Sequence, residues 1–418
     1  MIPLKLLLCL LLSLSLIAAL IPALADISSR APDAYHPPLR ELAGKAGFSV
    51  GICLSPYQLK DRAYLDFLAS QFNSTTCTNE TKAYSLLDQA ASRRSEDGMP
   101  RMNYALADQM IGWARDHGIG VRGHVLTWDA YMTGWFFHEG YDASRPVASR
   151  EVLLARMESY ITQVMTHFET EFPGVIYCWD VVNEAMGDGP ADCLAGDPCL
   201  LRTTRSGQPN LFYEYVGADY VEYSFLYARN AAEALGKDIR LFYNDYNMLY
   251  PAKREAAKHL VEKINSFALD QSGNPRKLID GIGMQGYMGG YGVQDGCLSE
   301  DLITHTRDSI RAFADLGMEV HITEMALRNY EESQSEAHAA FYGRMFEMLG
   351  RINRELGRNV LTNVTVWGVQ DVTPNARNEY TWKLNGTFSG LLTEKDEIKT
   401  SFDALYDALA GAAEEAAP

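Results

Sequence analysis

Positive charge is scarce in this sequence, and the shortage excludes one large class of partner. The 418 residues include 37 Lys and Arg against 54 Asp and Glu, which gives a formal net charge of -17. Proteins that bind nucleic acid need clustered Lys and Arg to neutralise phosphates. We therefore expect no nucleic-acid partner, and the acidic balance suits a neutral or weakly charged substrate.

Metal-binding motifs are also missing, because the chain has no Cys-x-x-Cys pair and no cluster of histidines. His321 and Glu324 are close in sequence and could be read as metal ligands. Residues three apart on a strand point to opposite faces, however, so a strand over 319–324 would separate these two side chains. We expect no metal site and no other cofactor.

Cysteine is sparse, but its number is compatible with disulfides. Six cysteines follow residue 25, and an even number in an exported chain permits pairing. Cys193 and Cys199 share one Gly- and Pro-rich loop, so we expect them to pair. Cys178 lies in a strand pattern and is expected to be a buried thiol. The other three are Cys53, Cys77 and Cys297.

Long apolar runs are absent except for one at the N-terminus, over residues 6–20. Lys5 precedes this run, and Ala23-Leu24-Ala25 follows it as a small-x-small cleavage site. We interpret residues 1–25 as a signal peptide, with an uncleaved membrane anchor as the alternative. Cleavage would give a secreted or periplasmic protein without a membrane attachment.

The rest of the chain has neither a linker nor a low-complexity break, and strand patterns alternate with helical patterns eight times. The strand patterns begin at residues 48, 72, 121, 174, 239, 279, 319 and 360. This alternation predicts an α/β fold, a (β/α)8 TIM barrel that forms a single domain. We place a lead-in at residues 26–47, the barrel at 48–411 and an Ala/Glu tail at 412–418.

Functional side chains of such a barrel lie at the C-terminal ends of its strands. A single strand-end carboxylate such as Glu184 is more often held in a structural ion pair than used in chemistry. The complete set is more specific, because carboxylates and amides bind hydroxyls and indole rings stack on sugars. The strand ends carry Asn79, Glu80, Lys82, Trp128, Asp129, Asn183, Glu184, Asn244, Asp245, Asn247, Gln285, Tyr287, Glu324 and Trp367.

Two of these residues, Glu184 and Glu324, follow the fourth strand pattern and end the seventh, so they can approach each other across the barrel mouth. Two carboxylates in this position fit a glycosidase, in which one is the acid/base and the other the nucleophile. A retaining enzyme needs its two carboxyl groups only about 5 to 5.5 Å apart.

The strand Trp179-Asp180-Val181-Val182-Asn183-Glu184-Ala185 resembles the acid/base strand of glycoside hydrolase family 10, the endo-β-1,4-xylanases. The resemblance covers nearly all of the chain beyond residue 25, with several motifs in the expected order. The other motifs are Gly123-His124-Val125-Leu126-Thr127-Trp128, Phe242-Tyr243-Asn244-Asp245-Tyr246-Asn247, Gly281-Ile282-Gly283-Met284-Gln285-Gly286, Ile322-Thr323-Glu324 and Val366-Trp367-Gly368-Val369.

The resemblance implies that Glu184 is the proton donor and Glu324 the nucleophile, in a reaction that needs no cofactor. It implies that Asn183 holds the 2-hydroxyl group of the sugar whose bond is cleaved. The remaining sugar contacts that it implies are Asn79, Lys82 and Trp367.

The sequence departs from the family pattern in five motifs. Thr78 replaces a carboxylate, Asp129 and Tyr287 each replace a His, Met325-Ala326 replaces Leu-Asp, and Asn375 lies near the place of a second Trp. Tyr287 could donate a hydrogen bond to Glu324. Asp129 could accept a hydrogen bond from a sugar hydroxyl, or it could turn aside to bind an Arg or a backbone amide.

The expected protein is a secreted retaining glycoside hydrolase that cleaves internal β-1,4 linkages of xylan, with a polysaccharide or oligosaccharide as its partner. One alternative is the same chemistry on another β-linked glycan or glycoside. The other is a catalytically silent barrel that only binds glycans, which retention of Asn183, Glu184 and Glu324 argues against. The oligomeric state cannot be read from the sequence.

Overall fold

Eight parallel strands close into a barrel in the computed structural model, which describes residues 27, 28, 30–289, 298–371 and 388–415. Each strand pairs with the next along the chain, and the eighth pairs with the first. The predicted (β/α)8 barrel is therefore confirmed. Its strands are β1 (Ser49–Leu54), β2 (Ser74–Cys77), β3 (Gly120–Thr127), β4 (Ile176–Asn183), β5 (Arg240–Asp245), β6 (Gly281–Met284), β7 (Glu319–Leu327) and β8 (Leu361–Val366).

Helices alternate with the strands and surround the barrel. Residues 211–235 form two helices, because Gly217 adopts a φ of 120° that an α-helix cannot contain. The α-helices are Leu39–Lys45, Arg62–Gln71, Ala83–Leu86, Gln89–Arg93, Ala105–Asp116, Arg150–Glu171, Leu211–Tyr215, Tyr220–Leu235, Pro251–Ser266, Glu300–Asp315, Ser335–Leu356 and Thr400–Glu415.

The two ends of the described chain pack together. Tyr35 of the lead-in donates a hydrogen bond of 2.5 Å to Asp403 of the last helix. That helix ends at Glu415, which forms ion pairs with Arg351 and Arg354. The helix continues past residue 412, where we placed the start of the tail, and Ala412 is buried beside Gly350 of the preceding helix.

Residues 1–25, the predicted signal peptide, lie outside the described residues. In the part of the chain that the structure describes, no helix combines the length and the apolar character that crossing a bilayer requires.

The cysteines are free thiols wherever the structure describes them. The predicted Cys193–Cys199 disulfide is therefore wrong. Cys193 pairs through its backbone with Arg202, whereas Cys199 lies in a turn capped by Asp197. Cys178 is completely buried, as predicted, and burial raises the pKa of its thiol above the usual range. Cys297 lies outside the described residues.

The barrel interior contains a buried network of charged side chains. The Arg122 guanidinium on β3 donates to both carboxylate oxygens of Asp180 on β4, at 2.7 and 3.1 Å. It also donates through Nε to Nδ1 of His321 on β7, at 3.0 Å. Since that nitrogen accepts a hydrogen bond, the imidazole is neutral, and burial together with the Arg122 charge lowers the pKa of His321 to about 4. His321 therefore packs inside the barrel and does not share a ligand set with Glu324.

We expect stability to fall as the pH decreases from about 6.5 to about 4 because of His321. The unfolded chain takes up this proton near the ordinary pKa of 6.5 and the folded chain only near 4, so protonation favours unfolding across that window. The loss should be about 3 kcal/mol. Urea unfolding at pH 7, 5.5 and 4 measures it.

The control for this prediction is His321→Gln, which cannot titrate. Its free energy of unfolding should change less between pH 7 and pH 4 than that of the parent. An equal fall in both proteins would contradict the assignment. Loss of stability from Asp180 comes at lower pH, because Arg122 and His124 outweigh burial and lower the pKa of that carboxyl to about 2.

Candidate active site

The predicted catalytic carboxylates belong to one hydrogen-bonded network at the C-terminal ends of the strands. Gln285 Nε2 donates to Glu184 Oε1 at 2.9 Å and to Asn183 Oδ1 at 3.3 Å. Asn244 Nδ2 donates to the same Asn183 oxygen at 2.9 Å and to Glu324 Oε1 at 3.1 Å. Two amide side chains and one shared acceptor thus connect Glu184 with Glu324.

Glu324 accepts hydrogen bonds on both carboxylate oxygens. Tyr287 donates its phenolic hydrogen to Oε2 at 2.6 Å, which confirms the predicted contact. Burial and the charge of Glu324 raise the pKa of Tyr287 well above its usual value, so the proton stays on the phenol. Glu324 is therefore held as an acceptor by two neutral donors, Tyr287 and Asn244.

The orientation of Asn244 is set by the strand that faces it. Thr323 on β7 donates to Asn244 Oδ1 at 2.6 Å, which leaves the amide nitrogen for Asn183 and Glu324. Gly283 on β6 provides the space, because a Cβ atom there would lie 2.4 Å from Asn244 Oδ1. Asn244 was among the predicted strand-end residues, but the sequence did not indicate this linking role.

Asn183 has unused hydrogen-bonding capacity within the network. Its Oδ1 accepts two hydrogen bonds, whereas its buried Nδ2 has no partner among the described residues. Trp128 Nε1 and Gln285 Oε1 are also buried and have no partner among the described residues. Buried polar groups normally have partners, so these atoms are suited to receive the hydroxyl groups of a ligand.

The backbone at Glu184 adopts a conformation that non-glycine residues seldom take, with φ of 54°. Its amide donates to the Asn244 carbonyl at 2.9 Å. Arg202 donates to the carbonyl oxygens of Glu184 and Met186, at 3.2 and 2.7 Å. These contacts hold the turn that presents the Glu184 side chain, and sequence reasoning did not identify Arg202 as a contributor.

Arg205 is a second arginine at the site that sequence reasoning missed. Its Nη1 donates to Glu184 Oε2 at 2.8 Å, and its Nη2 and Nε donate to Asp129 Oδ1 and Oδ2 at 2.7 and 2.9 Å. Burial alone would lower the pKa of Arg205, but the hydrogen bonds with Asp129 and the charge of Glu184 raise it above its usual value. Of the two roles considered for Asp129, the structure shows the contact with an Arg.

Asn79, Lys82 and Trp128 lie together beside this network. Lys82 Nζ donates to Asn79 Oδ1 at 3.0 Å and lies 4.9 Å from the centre of the Trp128 ring. Tyr131 adds a second ring, 4.3 Å from the same nitrogen. The structure thus groups three predicted sugar contacts into one partly buried surface.

His124 connects that surface to Trp367, and sequence reasoning assigned it no role. Its ring lies 5.8 Å from the Trp128 ring and 6.5 Å from the Trp367 ring, edge to face in both cases. Its Nδ1 lies 2.8 Å from Asp180, so the buried network below the site fixes the ring. Trp367 is close to the nucleophile strand, since its amide donates to the Met325 carbonyl at 2.8 Å.

The sequence model of glycosyl hydrolase family 10 matches residues 38–406, most of the chain. The chain belongs to glycosyl hydrolase family 10. As a member of that family it is a glycoside hydrolase related to the endo-1,4-β-xylanases. The two strand-end carboxylates, their amide neighbours and the closed parallel barrel agree with this membership.

Individual relatives within the family have xylanase names. Endo-1,4-beta-xylanase B of Butyrivibrio fibrisolvens is 32% identical over 329 residues, which are 78% of this chain and 46% of that protein. The chain thus matches about half of that relative. Endo-1,4-beta-xylanase B of Paenibacillus barcinonensis is 31% identical over 80% of this chain and 86% of its own length.

A solved family structure gives the same result for the fold. The intracellular xylanase TsXylA of Thermoanaerobacterium saccharolyticum, a mutant in complex with xylotetraose, has a TM-score of 0.67 and 28% identity. The superposition covers 88% of this chain and 98% of that one.

The departures from the family 10 pattern have different structural consequences. Tyr287 supplies a hydrogen bond to Glu324, and Asp129 binds Arg205. Thr78 is buried beside Glu80. Ala326 pairs with Tyr287 as a short parallel bridge. Asn375 lies outside the described residues.

Proposed function

We propose that this protein hydrolyses internal β-1,4 linkages of xylan by double displacement, with retention of configuration at the anomeric carbon. Glu324 attacks the anomeric carbon while Glu184 protonates the departing oxygen. Glu184 then takes a proton from the water that releases the glycosyl-enzyme. The observation that carries the proposal is the single network that joins these two carboxylates through Gln285, Asn183 and Asn244.

The different surroundings of the two carboxylates support this division of roles. Glu324 accepts from the neutral donors Tyr287 and Asn244, and no cation pairs with it in the part of the chain that the structure describes. This suits a nucleophile that loses and regains its charge. Glu184 contacts an amide and a guanidinium, Gln285 and Arg205, and must exchange a proton in each half of the reaction. Xylan is proposed as the substrate because the related proteins are named xylanases and the TsXylA structure contains xylotetraose.

The stereochemistry of the first product tests the mechanism. Proton NMR of an early xylo-oligosaccharide digest should show the β-anomer before mutarotation, since two displacements restore the original configuration. Initial appearance of the α-anomer would indicate inversion and would contradict the assignment of Glu324 as a nucleophile.

The altered surroundings of the site favour a second candidate, the same chemistry on another β-linked glycan. Thr78 stands where the family has a carboxylate, and Asp129 binds Arg205. Two polar groups beside the sugar site therefore differ from the family pattern, which could suit a different sugar. Initial rates on xylan, β-glucan, mannan and aryl β-glycosides distinguish the candidates. Activity on xylan should be highest, whereas binding without turnover on every substrate would indicate a silent glycan-binding barrel.

We also propose that the protein is exported after removal of residues 1–25. The basic start, apolar run and small-x-small site over those residues support this proposal. Expression of the full chain in a bacterial host should give a mature protein whose first residue is Asp26. N-terminal sequencing checks this, and an intact N-terminus in the membrane fraction would support an anchor instead.

A further inference from the structure

Arg205 reaches the active site from a short hairpin in the loop that follows Glu184. Strands Thr204–Arg205 and Gln208–Pro209 pair antiparallel, and Ser206 and Gly207 form the turn with positive φ angles. Asn210, directly after the hairpin, donates to the Arg202 carbonyl at 3.1 Å. The hairpin is therefore tied to the same segment that holds the backbone of Glu184.

Asp129 holds the Arg205 guanidinium in place independently of Glu184. Two of its nitrogens donate to the two oxygens of Asp129, a bidentate arrangement that sets the plane of the group. The Asp129 side chain is only 4% exposed and the Arg205 side chain 24%, so water screens this pair weakly. The remaining nitrogen, Nη1, then faces Glu184 Oε2 at 2.8 Å.

We infer that Arg205, anchored by Asp129, is a positioning residue that orients the Glu184 carboxyl group and sets the upper pH limit of its action as a general acid. This inference rests on the proposed function. It assigns to Asp129 an anchoring role in place of a sugar contact, and it assigns to the hairpin a part in the reaction.

The argument follows from the two tasks of Glu184. As a general acid it must carry a proton, and as a general base it must be ionised. Nη1 of Arg205 carries positive charge and can only donate, so its contact with Oε2 stabilises the ionised form of Glu184 more than the protonated form. Gln285 occupies the other oxygen. Protonation of Glu184 therefore competes with Arg205, and removal of the cation should keep the acid protonated to higher pH.

Several other charged or titratable groups surround Glu184, and they act in both directions. Arg202 donates to the Glu184 backbone carbonyl rather than to the carboxylate. Burial and the charge of Glu184 raise the pKa of Asp245, and Lys253 donates to Asp245 at 2.7 Å. Among the described residues, Asp129 pairs with Arg205, and Tyr287 interacts with the charges of both Glu184 and Glu324. The Arg205 contact differs from these because its charge lies directly on the carboxylate oxygen.

The test is the pH dependence of kcat/KM on an unactivated xylo-oligosaccharide. Arg205→Met should move the alkaline limb to higher pH by on the order of one unit, the size of effect that an adjacent opposite charge has on a carboxyl pKa. The double variant Arg205→Met, Asp129→Asn should shift less, because it also removes a neighbouring negative charge. Arg205→Lys retains a cation and should restore the limb most of the way to the parent position.

Two controls separate positioning from general damage. Arg276→Met removes an ion-paired arginine on the outer surface, and its alkaline limb should match that of the parent. An aryl β-xylobioside with a good leaving group needs little protonation, so on that substrate the limb should not move in Arg205→Met. If Arg205→Met does not fold, the alkaline limbs of Arg205→Lys and of the double variant are compared with that of the parent.

An alkaline limb in Arg205→Met that coincides with the parent within 0.2 pH units would overturn the inference. So would equal shifts in Arg205→Met and in the double variant. A separate experiment addresses the proposed function: Glu184→Ala with added azide should form a β-glycosyl azide. If azide rescues Glu184→Ala but the alkaline limb does not move in Arg205→Met, the inference is rejected and the proposed function stands. Full activity of Glu184→Ala without azide would reject the proposed function.

Discussion

Glu184→Gln and Glu324→Gln should each lower kcat on xylo-oligosaccharides by on the order of 10⁴-fold, as expected when one member of a catalytic group acting as a unit is removed. The physical reason is that a glutamine can neither deliver the proton nor attack the anomeric carbon. Both changes are nearly isosteric, so Gln285 and Tyr287 can still donate to the remaining carbonyl oxygen. Steady-state kinetics on xylohexaose gives the measurement.

A comparison of substrates distinguishes the two roles. On an aryl β-xylobioside with a good leaving group, Glu184→Gln should still form the glycosyl-enzyme, because the first step then needs little acid assistance. Glu324→Gln should be inactive on both substrates. Glu222→Gln is the matched control, since it changes a buried carboxylate that pairs with Lys263 on the outer helices. Substantial turnover of xylohexaose by either active-site variant would refute the assignment.

Asn183→Ala should lower kcat/KM by about 10²- to 10³-fold, the loss seen when one preorganised donor to developing charge is removed. The expectation follows from the buried Nδ2, which has no partner among the described residues while its Oδ1 is fixed by Asn244 and Gln285. A hydrogen bond to the sugar 2-hydroxyl strengthens in the transition state. The measurement is kcat/KM on an aryl β-xylobioside.

The decisive control for Asn183 is the same substrate with a 2-deoxy sugar at the cleaved bond. If Nδ2 acts on the 2-hydroxyl, parent and Asn183→Ala should differ only a few-fold on the 2-deoxy substrate. Asn363→Ala removes another buried amide of the barrel, one that donates to Ser49, and should affect stability more than turnover. An equal loss on both substrates would show that Asn183 supports the structure and does not contact the 2-hydroxyl.

The sequence predicted the barrel because each strand and helix is a local pattern. Eight apolar strand patterns separated by helical ones leave few ways to bury their surfaces, and the strand-end rule then placed Glu184, Glu324 and Asn183 at one mouth. The contact of Tyr287 with Glu324 was predicted from the resemblance to family 10, because Tyr287 stands where the family has a His. The resemblance to family 10 assigned roles to residues only where a family motif was present.

The loop contacts were decided by the tertiary structure. Arg205 is 76 positions from Asp129 and 21 from Glu184, and no periodic pattern relates the three. Their contact depends on how the 187–210 loop folds back over the barrel mouth, which the hairpin at residues 204–209 determines. The same loop explains the wrong disulfide prediction, because proximity of Cys193 and Cys199 in sequence does not fix the directions of their side chains.

The sequence by itself therefore determined the closed barrel and the residues at its strand ends, because repeating local patterns and the direction of parallel strands are written in the chain. Only the tertiary structure decided that Asp129 binds Arg205, that Arg205 contacts Glu184, and that His124 lies between Trp128 and Trp367. Those contacts join residues from different loops and strands, and their geometry depends on side-chain packing at the barrel mouth that no single segment encodes.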